Sequence, residues 1–132
     1  MSKSFILVKY SLIDTKICEE ESVNIDSTDI SDDMFAQLEM DKYIHSMSVL
    51  EETNGDSYEV AVVDNSHLPE LIKKCEEIAV GNYCAELING VVNDKDRNRL
   101  FNELTVFLSI REILNKKKLK FENNENVFIV LG

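Results

Sequence analysis

Five side chains could support nucleophilic or metal chemistry: Cys18, Cys75, Cys84, His45 and His67. A cysteine becomes a nucleophile when a base stands within hydrogen-bond reach, and the two need only meet in space. No spacing in the chain brings such a pair together. His67 precedes Leu68-Pro69, an expected helix start, and His45 falls late in an expected helix, so both read as structural. Zinc takes four ligands at short spacings, and neither histidine has a second ligand at such a distance. Three cysteines without a Cys-x-x-Cys pair do not make a disulfide framework. They read as small, buried or half-buried free thiols in a reducing, cytoplasmic compartment. Asp29, Asp32 and Asp33 offer oxygen to a divalent cation but lack the spacing and closing glutamate of an EF-hand. Gly55, Gly81, Gly90 and Gly132 are isolated, which leaves no phosphate-cradling loop, and neither Gly-x-Ser-x-Gly nor His-Glu-x-x-His occurs. The expectation is a non-enzymatic chain with no catalytic residue, no metal and no cofactor.

What remains is electrostatic. The net charge of −11 is unevenly distributed. Residues 14–59 carry fourteen acids against Lys16 and Lys42, a local −12, whereas residues 1–13 contribute +2 and residues 60–132 contribute −1. Clustered like charge works against a compact domain by self-repulsion, so it calls for a reason. One reason is a solvated surface that serves solubility, in a structural or adaptor protein. The other is a cationic partner. Glu19, Glu20, Glu21, Asp26, Asp29, Asp32 and Asp33 are the candidate contacts, each a hydrogen-bond acceptor and point charge against Lys or Arg, with Tyr43 or Met40 as apolar anchors. A site built for phosphate presents Lys and Arg, and a carboxylate-rich surface can occupy it without any bond being made or broken. The fitting partner is therefore a basic protein, a nuclease toxin above all. Small, acidic, motif-free domains of this composition are common among bacterial immunity proteins, a similarity of composition with no motif behind it. The basic cluster Arg111, Lys116, Lys117, Lys118 and Lys120 belongs to residues 60–132, where ten basic residues are balanced by eleven acids, and the field of the whole chain repels phosphate, which argues against nucleic acid. The oligomeric state is not legible.

The elements that must position these groups follow from periodicity. One domain spanning residues 1–132 is expected, long enough to bury a core without staples. The apolar run Phe5-Ile6-Leu7-Val8 is too short for a signal peptide or a membrane span and reads as a central strand over residues 5–13. Residues 16–25 read as a second strand, with Glu19–Glu21 on an exposed edge or loop. Ser27, Asp29 and Ser31 are possible caps for a helix over residues 32–47. Asn54-Gly55 between strand-like runs predicts a tight hairpin. A helix over residues 66–80, capped by Ser66 and stopped by Gly81-Asn82, is followed by an ambiguous apolar segment over residues 83–92. The longest helix should start at Asp94 or Asp96 and run to about Lys116, with Leu100, Phe101, Leu104, Phe107, Leu108, Arg111 and Leu114 along its apolar stripe. A closing hairpin over residues 119–131 should supply a second central strand. This order predicts α+β: a single domain, with a mainly antiparallel sheet and two to four helices packed on one face.

Overall fold

Five strands form one ring in the computed structural model, which describes residues 2–53, 55–90 and 93–132. Strand β1 (Ser2–Ile13) lies between β2 (Lys16–Ser31) and β5 (Val127–Leu131), antiparallel to both. Strand β4 (Ser57–Val63) pairs with β5 and with β3 (Ile44–Leu50), again antiparallel. The ring closes through a single parallel pair, Cys18 opposite Leu50. The fold is therefore α+β and its sheet mainly antiparallel, as expected, but the sheet closes into a small barrel, which the expectation did not include. Both strands expected to be central are so. Phe5, Leu7, Val127 and Ile129 on one face are at most 1 % exposed, and Val8, Tyr10 and Val130 on the other are buried as well.

The helices gather on one face. Met34 of α1 (Asp32–Gln37), Leu68, Leu71, Ile72 and Cys75 of α2 (Leu68–Ile78), and Leu100, Phe107, Ile110, Ile113 and Leu114 of the long helix share one cluster with Phe5, Leu7, Ile129 and Leu131. Alternate residues of the same strands, Val8, Tyr10, Val49, Val62 and Val130, form a smaller cluster on the opposite face. That division is the period-2 alternation of a strand buried on both sides.

Several local expectations are corrected, four of them in the extent of an element. Strand β2 does not stop at residue 25. The Asp-, Ser- and Thr-rich stretch pairs with the start of β1, Thr28 opposite Phe5, and buries Ile30 completely. Long-range pairing wins there over capping chemistry, except at Ser31, whose hydroxyl accepts the Met34 N–H at 3.2 Å as a true N-cap. The helix expected over residues 32–47 ends at Gln37. Glu39 takes a left-handed turn (φ 52°), and Ile44–Leu50 pairs as β3, placing His45 on a strand. Gly81-Asn82 does not stop α2. The chain continues through a π-helical turn, Ala79–Cys84, into α3 (Ala85–Asn89), held by Ala79 and by Tyr83, whose ring lies 5.4 Å from that of Phe107. Val91 and Val92 of the ambiguous segment lie outside the described residues.

The fourth correction concerns the closing hairpin. Residues 119 and 120 belong to the last turn of α4 (Asp94–Lys120), so only β5 of that hairpin exists. Lys117, 1 % exposed, donates to the Phe121 carbonyl at 2.8 Å and so satisfies the carbonyl just past the helix end. Helix α4 is capped by Asn93 rather than by Asp94 or Asp96. Its buried stripe omits Phe101 and Leu108, which are exposed. Helix α2 starts without the Ser66 cap, since Asn65–His67 forms a 3-10 turn and His67 is the N-cap residue. The β3–β4 hairpin is present. Its register, Leu50 opposite Ser57, leaves residues 51–56 in the connection, and Asn54 of the expected tight turn lies outside the described residues.

All three cysteines are free. Cys18 and Cys75 are buried and Cys84 is half-buried, and burial pushes the Cys75 thiol up to about 12. A thiol reagent should therefore reach Cys84 first in the folded protein and titrate three thiols after denaturation without reductant. A denatured count of one would mean an internal disulfide.

Candidate binding surface

The single parallel pair determines which acids meet. Because Cys18 and Leu50 pair in parallel, β2 and β3 leave that point in the same direction, and Glu19–Glu21 run beside Glu51, Glu52 and Thr53. Thr53 donates its hydroxyl to Glu20 Oε2 at 2.9 Å and ties the two chains together.

The Glu19–Glu21 triplet is also pushed out of the ladder. Pairing with β1 jumps from Lys9–Val23 to Ser11–Cys18, so these glutamates sit in a bulge. Glu21 adopts φ 62°, a left-handed conformation that costs a non-glycine residue ~1–2 kcal/mol. The Ser11 hydroxyl donates to the Glu20 carbonyl, with the Cys18 carbonyl 3.2 Å away as the alternative acceptor, and holds the bulge from inside. The expected exposed edge or loop is thus a built bulge. Three residue pairs from the bulge, the same strand pair ends in a two-residue hairpin turn, Asp14 and Thr15 (φ 49° and 68°), with positive φ at both positions.

Ser11, Leu12, Ile13, Glu20, Glu21 and Thr53 line an open cleft of about 300 Å³ on this surface. Two carboxylates thus stand beside an aliphatic wall, the complement of a Lys or Arg side chain with its apolar stem and charged head. Leu12 and Val23 are 44 % and 56 % exposed next to the acids. The Glu19 carboxylate lies near the Tyr58 hydroxyl. Burial first, and that carboxylate second, push the Tyr58 phenol up to about 12, and burial followed by the Glu19 charge raises Tyr10. Among the described residues, no ion pair engages Glu19, Glu20, Glu21, Glu51 or Glu52.

The other four sequence candidates lie elsewhere. Asp26 is half-buried and pairs with Lys116 at 2.6 Å, which holds its carboxyl below the ordinary range. Asp29 accepts the Ser4 hydroxyl at 3.3 Å. Asp32 and Asp33 occupy the first turn of α1, where the helix dipole favours acids. An extended strand separates them from Glu21 by roughly 30 Å of chain, so the seven residues do not form one patch. Tyr43 and Met40 are 5 % and 1 % exposed. They belong to the core, and Leu12 and Val23 are the apolar groups that border the acids. Glu51 and Glu52 join the surface only through ring closure, which local sequence does not announce.

A second cleft, of about 490 Å³, lies between the Met40–Lys42 turn and α2. Its charges answer one another. Glu39 accepts from Lys42 and Lys74 at 2.7 Å each, Tyr43 donates to Glu70 at 3.1 Å, and His67 stands 3.6 Å from Glu70. The hydrogen bonds and charges of Lys42 and Lys74 bring the Glu39 carboxyl from 4.5 down to about 2. A depressed carboxyl stabilises the fold above its unfolded pKa and loses that contribution as pH falls through the folded value. Glu39→Gln should therefore lower the melting temperature above pH ~4.5, and the gap from wild type should close as pH falls toward 2. A gap independent of pH would remove the ion pairs from the account.

The basic cluster is largely engaged within the chain: Lys116 with Asp26, Arg111 with Glu76 at 2.7 Å, and Lys117 with the Phe121 carbonyl. Among the described residues, no group of three His, Cys, Asp or Glu side chains could hold a metal ion, and no helix is long and apolar enough to cross a membrane. No family model, curated protein or solved structure matches the chain.

Proposed function

We propose that this protein is a non-enzymatic inhibitor that binds a basic protein through the Glu19–Glu21 bulge and the adjoining β3–β4 connection, as an immunity or antidote protein covers a nuclease toxin. The observation that carries this reading is the cleft in which Glu20 and Glu21, in no ion pair among the described residues, stand beside Leu12 and Ile13. Glu20 and Glu21 would accept hydrogen bonds from a Lys or Arg head seated there, and Leu12, Ile13 and Val23 would cover its stem. Glu19, Glu51 and Glu52 form the charged rim, which steers the encounter more than it holds the complex. The left-handed Glu21 fits a bulge kept for contact, because backbone strain of this kind concentrates at functional positions. Three unpaired thiols agree with a cytoplasmic setting.

One observation favours the second reading, a structural or adaptor protein with a solvating acidic surface. Asp26, Asp29, Asp32 and Asp33 have structural places, so about half of the candidate acids need no partner.

The two readings separate in one experiment. Wild type and the Glu19→Gln/Glu20→Gln/Glu21→Gln variant serve as parallel baits at low salt, and the affinity of each for the recovered basic protein is then measured. The inhibitor reading expects the variant to bind at least about tenfold more weakly with its melting temperature unchanged. Equal affinity would leave the bulge a solvated face.

A further inference from the structure

Helix α4 carries an apolar line on the side turned away from the core. Phe101, Leu108 and Leu119 are 59 %, 47 % and 76 % exposed. At about 100° per residue the three fall within about 20° of one line along the helix. That line lies opposite Phe107, Ile110 and Leu114, which face the sheet. Phe101 and Leu108 stand one heptad apart, the repeat that lets one helix seat against another.

The charges beside them are arranged symmetrically. Arg97 lies four residues before Phe101, and Glu112 lies four residues after Leu108. Both are exposed. Among the described residues Arg97 has no ion pair, and Glu112 has one loose contact, 3.8 Å to Lys116. Read outward from the midpoint between Leu104 and Thr105, the helix shows an apolar residue and then a charge in each direction, and the two charges have opposite sign.

We propose that this face binds a second copy of the chain, α4 against α4 in antiparallel orientation, about a two-fold axis at that midpoint. Phe101 of each copy then meets Leu108 of the other, and each Arg97 meets the other copy's Glu112. A two-fold contact needs a patch complementary to itself, and this pattern satisfies that condition, whereas a generic apolar partner would have no use for the charge symmetry. Antiparallel helices also oppose their dipoles favourably. The stripe is narrow, so the contact belongs with small, reversible interfaces. It shares no residue with the acidic bulge and does not depend on the proposed function.

Sedimentation equilibrium of the full chain, from micromolar to millimolar concentration, tests the proposal. The expected mass rises from 15.1 kDa toward twice that value. Phe101→Ser or Leu108→Lys should abolish the rise without lowering the melting temperature, since both side chains are exposed. Arg97→Glu and Glu112→Arg should each weaken the dimer, and the double variant should restore it, because the swapped charges attract again. The Glu19–Glu21 triple glutamine variant should dimerise like wild type. A mass of 15.1 kDa at every concentration, a dimer that survives Leu108→Lys, or a double variant that fails to rescue would each overturn the proposal.

Discussion

Replacing Phe107 with alanine should destabilise the protein by about 3–5 kcal/mol in urea titration. The ring is fully buried, in the middle of α4, within the cluster that joins this helix to α2 and to the sheet. Its centroid lies 5.4 Å from that of Tyr83, the residue that holds the π-helical turn against α4. Removing the ring takes apolar surface from three layers at once and leaves a cavity that two helices and a sheet cannot all close. Leu108→Ala, one residue on but 47 % exposed, should cost no more than about 0.5 kcal/mol. The contrast between adjacent residues assigns the loss to packing rather than to helix propensity. A Phe107→Ala loss below about 1 kcal/mol would mean that α4 does not seat on the sheet as described.

The second large effect concerns association. Two bodies of opposite charge meet faster than diffusion alone allows, by factors of roughly 10 to 1,000, and screening removes that gain. At one end of the β2–β3 contact Glu19–Glu21 run beside Glu51 and Glu52, and among the described residues none of the five is in an ion pair. Asp26 is already answered by Lys116 and adds little to the outward field. Association with a basic partner should therefore slow steeply with salt, and neutralising the bulge should make that slope measurably shallower. Neutralising Asp29, Asp32 and Asp33 should act differently. Two of them sit in the first turn of α1, so the melting temperature should fall while affinity, corrected for folding, stays constant.

The elements legible in the sequence were those in which local pattern and long-range packing agree. Phe5–Val8 and Val127–Leu131 are apolar on both faces and are buried on both faces. The core of α4 follows from its stripe, and Ser31 caps the helix it precedes. The sequence misled where a tertiary partner overrode local chemistry. Residues 26–31 look like a cap region and are strand, because β1 offers them a ladder from Ser2 onward. Residues 44–50 fit a helical face through Ile44 and Met47, yet they also alternate, and pairing with β4 selects the strand. Gly81 fits a helix stop, but buried Tyr83 carries the chain through it. Exposure was readable at Glu19–Glu21 because three consecutive glutamates cannot enter a core. The contribution of Glu51 and Glu52 was not, since it depends on one contact between residues 18 and 50, across 32 positions of chain.

The central claim, that the bulge is the docking surface for a basic protein, is tested most directly by association rates measured against ionic strength. Wild type and the Glu19→Gln/Glu20→Gln/Glu21→Gln variant would be mixed by stopped flow with the captured partner, from low salt to beyond physiological salt, where screening confines the field to roughly 8 Å. The account expects a steep decline for wild type, a clearly shallower one for the variant, and convergence of the two at high salt. Parallel lines of equal slope would contradict it and return the acidic segment to a solvated face.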